Sequence, residues 1–424
     1  MTRRFLICLT VWNALAVLAA AQPPRYTVQD LGTLLGGTSS SAQDVNNGGL
    51  IAGQATLANG SAHAVLWYKL LMMDIGISGL GGPNSVAFGA NEGVQVIGIA
   101  ESGASDRNGE DFCGFGTHRI CLPFLWQWGV MTPLPTLGGQ NASTGDNINS
   151  RGQIPGFAEN TTEDRSCPDP QRFEFKPVVW DRETIQQLPT FPGDREGVAF
   201  WINDNGQAVG ASGQCSEYNV DLGFYLLPSH ALLWDNGTVT DLGNLGGEPV
   251  GDGNIAIRIN NNGQVVGGSI VPGGTEHAFL WTKKSGMRDL GTLPGDDSSA
   301  AAGINDNGDI VGASLDSSGA SLRAVLWQNG VMSDLNDLVP SNTRLYLLFA
   351  FSINARGEIA GIGVTDGGDV HGFLATPAGA AHIKVNEEEP RGGRPAVIPE
   401  NVRGTIQRGL VLRRLRSRLD GGRR

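Results

Sequence analysis

The chain has 424 residues, of which 62 are glycine, and only 17% of its residues are charged. Globular proteins usually contain about 7% glycine and about 25% charged residues, so this composition excludes a coiled coil. The glycines follow no three-residue period, which excludes collagen, and nine Trp and fifteen Phe are too many for a disordered chain. So much glycine without that period predicts many tight turns and therefore many short strands.

The first 21 residues form a predicted signal peptide. Arg3 and Arg4 precede the mostly apolar run 5–21, which ends in three alanines before Gln22. A basic start, an apolar stretch and small residues at the cleavage site are typical of a secretory signal. We therefore expect a secreted protein, extracellular or periplasmic. No later stretch is apolar enough to span a membrane.

One unit of about fifty residues recurs seven times after the signal. Each unit carries a turn phrase such as INDNGDIVG (304–312) and a strand phrase such as HAFLW (277–281). A glycine closes every turn phrase, at intervals of 45 to 58 residues, and six units place a tryptophan in the same strand slot. We interpret both sets as structural features of the repeat: Gly53, Gly98, Gly156, Gly210, Gly267, Gly312 and Gly361, with Trp67, Trp126, Trp180, Trp234, Trp281 and Trp327.

Each unit predicts four short strands, because Asn-Gly turns separate short apolar runs. Four strands per unit, repeated in series, are typical of a β-propeller. The seventh unit stops after its third strand (371–376), whereas the chain begins with a lone fourth-type strand (26–31). We therefore predict an all-β, seven-bladed propeller over residues 22–378, whose N-terminal strand closes the last blade. An open solenoid of β-hairpins is the alternative.

These phrases resemble a known family. DLGTLPG (289–295), INDNGDIVG and HAFLW are similar to the bacterial extracellular repeats named HAF after their His-Ala-Phe tripeptide. The resemblance covers about residues 26–378 and implies secretion and a propeller-like array. It supplies no reaction and no catalytic residues. Units two and seven depart from the pattern, because Val94 replaces the turn glycine and Ala375 replaces the tryptophan.

Several polar residues suggest a functional site, yet the position of each can also be explained by the structure of the repeat. The Asp306-to-Asp309 turn has the composition of a calcium loop, but the same slot holds arginine in two other units, which favours a hairpin turn. The histidines that share one strand position favour a role within the blade: His63, His230, His277 and His371. Asp44 and Asp146 precede turn asparagines and are the candidate acids if the protein is an enzyme. We predict no catalytic, cofactor or metal residues.

Unit length varies almost wholly between the second and third strands. The long connections of units two, three and four (99–122, 157–176 and 211–229) contain or adjoin all four mature cysteines: Cys113, Cys121, Cys167 and Cys215. Four cysteines allow three pairings that sequence does not settle. The loop arrangement favours Cys113–Cys121 within one loop and Cys167–Cys215 between neighbouring blades. No cysteine–histidine spacing of a zinc site occurs.

Charge separates the body from the tail. Residues 22–378 carry a net charge of −20, whereas residues 379–424 carry +6 and have the composition of a disordered segment. An acidic body repels phosphate backbones, so nucleic acid is not an expected partner. We expect a monomer without cofactors that binds a protein or glycan through the long loops of blades two to four. The alternatives are a glycan hydrolase or lyase with acids at the channel mouth, and a structural envelope protein.

Overall fold

Seven four-stranded antiparallel sheets, arranged as a ring, make up the fold. A computed structural model describes residues 26–379 except 70, 183, 220–223, 248–252 and 317–320. The predicted signal peptide (1–21) lies outside the described residues, and so does the predicted basic tail apart from Gly379. No helix in the described part of the chain is long and apolar enough to cross a membrane. The seven-bladed all-β propeller is confirmed.

The first strand of every blade is the innermost and surrounds the central channel. At five of the seven boundaries the first strands of neighbouring blades pack against one another, and the last of them contacts the first. In chain order these strands are β2 (Ser40–Val45), β6 (Gly81–Ala90), β10 (Ala142–Thr144), β14 (Glu196–Ile202), β18 (Ile255–Ile259), β22 (Ser298–Ile304) and β26 (Leu345–Ile353).

The second and third strands form the middle of each sheet. The second strands are β3 (Leu50–Thr56), β7 (Val96–Ser105), β11 (Gln153–Glu163), β15 (Ala208–Asn219), β19 (Val265–Ile270), β23 (Ile310–Leu315) and β27 (Ile359–Thr365). The third strands, which contain the predicted tryptophan slot, are β4 (Ala62–Tyr68), β8 (Arg119–Gln127), β12 (Phe173–Asp181), β16 (Phe224–Asp235), β20 (Glu276–Thr282), β24 (Leu322–Gln328) and β28 (Val370–Pro377).

The fourth strands are the outermost and are short. Six of them follow their third strand directly: β5 (Leu71–Asp74), β9 (Val130–Pro133), β13 (Thr184–Gln187), β17 (Thr238–Asp241), β21 (Gly286–Asp289) and β25 (Val331–Asp334). The seventh position is filled by β1 (Tyr26–Asp30), which pairs with β28 from Tyr26 opposite Pro377 to Asp30 opposite Phe373. The predicted closure by the N-terminal strand is therefore confirmed. Two short 3-10 turns, Gly76–Ser78 and Leu335–Leu338, complete the described elements.

The glycines of the turn phrase lie where two strands approach too closely for a side chain. A Cβ on Gly210 would collide with the carbonyl oxygen of Val198 on the first strand, and the equivalent glycine of each other blade meets the same obstacle. In six blades this contact lies at a β-bulge in the first strand. A bulge changes the direction of the residue that follows it, and here that residue is the second one before the turn asparagine.

The tryptophan slot joins neighbouring blades. The indole N–H of Trp67, Trp180, Trp234 and Trp327 donates to a backbone carbonyl just after the fourth strand of the preceding blade, at 2.6–3.2 Å. The rings pack against apolar residues at the same boundaries; Trp327, for example, lies with Val266 and Ala278 of the preceding blade. Each such indole adds both an apolar contact and a directed hydrogen bond between blades.

Seven asparagines form a second, closed set of contacts between blades. Each begins the turn between the first and second strands, and its side-chain Nδ2 donates to the backbone carbonyl of the corresponding asparagine in the next blade at 2.9–3.4 Å. The last donates to the first. We call this set the asparagine ring: Asn46, Asn91, Asn149, Asn203, Asn260, Asn305 and Asn354.

Replacing Asn260 by Ala should destabilise the whole propeller. Its Oδ1 accepts the backbone N–H groups of Asn262 and Gln264, and its Nδ2 donates to the Asn305 carbonyl at 2.9 Å. The variant leaves these buried groups without the Asn260 side chain as a partner. We therefore expect the free energy of unfolding to fall by about 1–3 kcal/mol. The melting temperature and urea midpoint measure it. Asn342→Ala, at an exposed position outside the turns of the ring, is the control and should change stability by less than about 0.5 kcal/mol; equal losses would contradict the ring's role.

Candidate functional site

The two ends of the propeller differ in construction. We call the end that carries the turns between first and second strands the turn face. The opposite end, where the second strand connects to the third and the fourth to the next blade's first, is the loop face. The turn face carries the same asparagine in all seven blades, whereas the connections on the loop face differ in length from blade to blade.

A pocket of about 190 Å³ opens at the centre of the turn face, lined by residues of all seven blades. Arg258 forms its floor and lies across the channel. Its Nη2 donates to Asp44 Oδ1 at 3.3 Å, its Nη1 donates to Ser352 Oγ at 2.9 Å, and its guanidinium carbon lies 3.5 Å from the ring centroid of Trp201. Burial raises the pKa of Asp44, although Arg258 and Ser352 oppose the shift. The four residues connect blades one, four, five and seven through buried polar contacts.

The two candidate acids lie in different positions. Asp44 is the residue redirected by the bulge and is paired with Arg258. Asp146 is not in the equivalent slot; Asn147 takes it and lines the pocket, whereas the Asp146 backbone N–H donates to Phe200 O at 2.7 Å. Blade three has one residue more than blade one between the strand partner of its closing glycine (Thr144 and Ala42, respectively) and its turn asparagine. The two candidate acids therefore occupy different positions in their blades.

The aspartates of the Asp306-to-Asp309 turn and the slot histidines form hydrogen bonds within and between blades. Asp306 accepts a hydrogen bond from the backbone N–H of Asn261 in the preceding blade, and Asp309 accepts one from the Asn305 side chain. Each slot histidine places Nδ1 within 2.8–3.0 Å of an aspartate: His63 with Asp74, His230 with Asp194, His277 with Asp289, and His371 with Asp30. These pairs tie the third strand to the fourth strand or to a neighbouring loop.

Three hairpins on the loop face extend beyond the sheets. They belong to adjacent blades, namely β7–β8 in blade two, β11–β12 in blade three and β15–β16 in blade four; we call them the arms. The sequence predicted long loops here, but strand pairing continues well into all three segments. Each arm contains a register shift a few residues beyond the glycine, at Glu101/Ser105, Glu159/Glu163 and Cys215/Asn219. Interstrand pairing therefore continues through the insertions, with local register shifts.

Two disulfides brace the arms. Cys113 is bonded to Cys121 within the first arm, and Cys167 in the second arm is bonded to Cys215 in the third. Cys113 and Cys121 are almost fully buried against Val86 and Ile99. The second disulfide joins blades three and four directly. These are the pairs that the loop arrangement favoured.

Buried carboxyl groups lie beneath the first two arms. Glu110 and Glu159 are 2% and 0% exposed and share a hydrogen bond. Glu159 accepts the backbone N–H groups of Gln140 and Asn141, so it is the ionised partner and Glu110 holds the proton. Burial raises the pKa of Glu110 to about 9, and the charge of Glu159 adds to the shift. Asp106, also buried, accepts the Asn141 side chain at 3.0 Å.

A second buried acid pair lies between the second and third arms. Glu196 is fully buried, accepts the backbone N–H of Phe175 at 2.6 Å, and contacts Asp164. Burial raises the pKa of Glu196 to about 8. Burial also acts to raise the pKa of Asp164, but hydrogen bonds from Ser166 and the charge of Arg195 outweigh it and leave the pKa below its usual range. The base of the arms is thus a polar, largely desolvated layer.

Sequence reasoning missed this acid layer and the asparagine ring. One signal was available for the layer: Glu101 and Asp106 in the first arm recur as Glu159 and Asp164 in the second, at one repeat interval. The signal for the ring was stronger, because an asparagine occupies the same position in all seven units.

Comparison with known proteins finds similarity only to solved structures of low sequence identity. No family model matches the chain, and no curated protein matches it. Among solved structures, the β-propeller domain of the Trilobed protease from Pyrococcus furiosus matches at 10% identity with a TM-score of 0.45, covering 83% of this chain and 93% of that one. Acylaminoacyl peptidase of Pyrococcus horikoshii matches at 11% and 0.46, over 84% and 52%. TolB of Acinetobacter baumannii matches at 11% and 0.39, over 78% and 64%.

Stability should fall as pH rises through the range of the Glu110 proton. The folded state holds this proton with a pKa of about 9, whereas an unfolded glutamate loses it near the ordinary value of 4.5. The proton on Glu110 therefore stabilises the folded state fully below pH 4.5. This stabilisation is lost between pH 4.5 and about pH 9, at up to about 1.4 kcal/mol per pH unit. Glu110→Gln keeps a donor toward Glu159 and should flatten the decline in melting temperature from pH 5 to pH 9. Glu92→Gln, exposed on the turn face, should leave the wild-type profile unchanged; an unchanged profile in Glu110→Gln would refute the proton assignment.

Removing the floor of the pocket should destabilise the ring. Arg258→Leu leaves Asp44 buried without its cation, and breaking one partner of such a pair typically costs roughly 3–5 kcal/mol. The double variant Arg258→Leu, Asp44→Leu removes both charges and should recover a large part of that loss. Urea midpoints of the two single variants and the double variant test the coupling; strictly additive losses would show that the pair does not act as a unit.

Proposed function

We propose that this protein is a β-propeller binding module whose arms engage a macromolecular partner outside the cytoplasm. The observation that carries the proposal is the Cys167–Cys215 bond, which fixes two neighbouring arms relative to each other. Holding a surface in place before binding lowers the entropy lost on association. Binding residues are also found disproportionately on connections that a rigid scaffold positions.

The charge of the arms indicates the chemistry of the partner. The segments 99–122, 157–176 and 211–229 each carry a net charge of −2. Glu163 and Asp169 are exposed in the second arm, whereas the acids at the base are buried. We propose a protein partner with a basic or hydrogen-bond-donating surface, and a glycan as the alternative. Electrostatic complementarity of this kind accelerates association and selects partners.

The enzyme alternative has less support. A glycoside hydrolase needs two carboxyl groups that flank the substrate. Glu110 and Glu159 are close together but buried beneath the arms, and Asp44 is paired with Arg258. These acids are better explained as parts of the scaffold.

We also propose that the chain is one of the HAF-repeat proteins and is exported. The three phrases of the resemblance fall at the same places in the blades: the fourth strand with its following loop, the first hairpin and the third strand. Two disulfides and the predicted signal peptide support an oxidising compartment.

Exchange of the first arm should abolish binding. Residues 102–121 replaced by 271–276, the corresponding short connection of blade five, remove the arm together with Cys113 and Cys121. Retention of partners from a secreted-protein extract and from a glycan array should fall at least about tenfold, as expected when the central contacts of an interface are removed. The matched control exchanges the short connection 57–61 of blade one for 271–275. Undiminished retention by the arm variant, with circular dichroism unchanged, would reject the site.

A further inference from the structure

Blade one carries apolar residues at two exposed positions where the repeat is otherwise polar. Tyr68 follows the tryptophan of the third strand, and its equivalent in blade two is Gln127. Met73 lies on the outermost strand, and its equivalent there is Thr132. The other five blades are polar at both positions as well. These two residues of blade one therefore depart from the repeat in the same direction.

Blade two departs from the repeat at both of its turns on the turn face. Val94 has a φ of 59° in the turn between β6 and β7, where every other blade has a glycine. Trp128 has a φ of 55° in the turn between β8 and β9, where blades four and six have Asn236 and Asn329. A left-handed backbone disfavours β-branched and bulky residues. The local conformation therefore does not account for either side chain.

These departures lie within a group of exposed apolar side chains. Six of the nine large hydrophobic residues that the described part of the chain exposes belong to the turn-face hairpins of blades one and two. We call them the apolar rim: Tyr68, Leu71, Met73, Val94, Trp128 and Val130. Trp128 is 82% exposed and Leu71 is 77% exposed. Groups of exposed apolar residues mark surfaces that contact a protein or a membrane.

The basic tail begins beside the apolar rim. Pro377 lies at the turn face, because its Cγ would be 3.3 Å from a Cβ on Gly357 in the turn of blade seven. Gln29, on the strand that pairs with β28, donates from Nε2 to the Lys69 carbonyl at the end of the blade-one hairpin, at 3.3 Å. The chain therefore leaves the propeller next to blade one. Its last part, 401–424, contains eight arginines and one acid.

An anionic lipid surface fits the apolar rim and the tail together. Tryptophan and tyrosine are enriched at the membrane–water interface, and arginines are attracted to anionic headgroups. Membrane affinity grows with both buried apolar area and this attraction. A second copy of the chain is a poorer occupant, because rim-to-rim packing would bring two basic tails together and like charges repel.

We propose that the apolar rim and the basic tail attach the protein to an anionic phospholipid surface. The turn face then lies toward the lipid, and the arms, at the opposite end, point away from it. The proposal concerns a different face from the arms, so it does not depend on what the arms bind.

Vesicle binding tests the proposal. The chain without its predicted signal peptide (22–424) is mixed with phosphatidylcholine vesicles, with and without phosphatidylglycerol, and the bound fraction is measured by co-sedimentation. We expect binding that requires phosphatidylglycerol and weakens as salt rises. The double variant Val94→Gly, Trp128→Asn restores residues that other blades carry in these slots. It should therefore keep its native circular dichroism and melting temperature, yet bind at least about tenfold more weakly.

Two further variants separate charge from apolar contact. Glutamine in place of the arginines of one tail segment should remove the dependence on phosphatidylglycerol: Arg413, Arg414, Arg416 and Arg418. Leu35→Gln removes a side chain that is 95% exposed on the loop face. It is the matched control and should bind vesicles as the parent does.

Four results would overturn the proposal. The first is a natively folded parent that does not bind phosphatidylglycerol vesicles. The second is equal vesicle affinity in the parent and in Val94→Gly, Trp128→Asn, which would show that the rim does not contact the lipid. The third is unchanged binding after the four arginine substitutions. The fourth is a dimer in sedimentation velocity that the rim variant dissociates, because it would assign the rim to a second copy of the chain.

Discussion

The asparagine ring is the constraint on which the arrangement of blades depends. Every ring asparagine satisfies its own turn with Oδ1 and spends Nδ2 on the next blade, so each blade is fixed to one neighbour as donor and to the other as acceptor. The last bond returns to the first blade. Removing the side chain of any member therefore breaks one connection between blades and leaves its own turn unsupported. The ring fixes the position of each blade relative to its neighbours. The bulges beside the glycines and the tryptophan contacts farther out depend on that arrangement.

The two ends of the propeller use polar residues in different ways. On the turn face, the ring asparagine repeats in every blade. One charged pair, Arg258 with Asp44, crosses the channel. On the loop face, blade-specific residues form a desolvated acid layer under three arms, with Glu110 neutral and Glu159 charged. The asparagine ring therefore consists of residues that repeat in every blade. The candidate site consists of residues found only in blades two to four.

Local chemistry determined what was predictable from sequence. Turn phrases, strand lengths and the complementary chain ends depend on neighbours along the chain, so blade number and closure followed from them. The asparagine ring did not follow from the sequence, because the turn already explained each asparagine. The carbonyl that accepts from its Nδ2 lies 45 to 58 residues away, or 308 residues away where the ring closes. Arg258 and Asp44 are 214 residues apart. The arms were predicted as loops, because variable unit length indicates insertion and does not show that strand pairing continues through it.

The pairing of β1 with β28 determines how the molecule responds to mechanical force. Tyr26 lies opposite Pro377, so the two ends of the described propeller leave it side by side. Tension applied through both ends acts along the interstrand hydrogen bonds, which run perpendicular to antiparallel strands. The bonds then break one after another from Tyr26 inward instead of sharing the load. A propeller tethered at both ends would open at this seam while its other six blades remained intact.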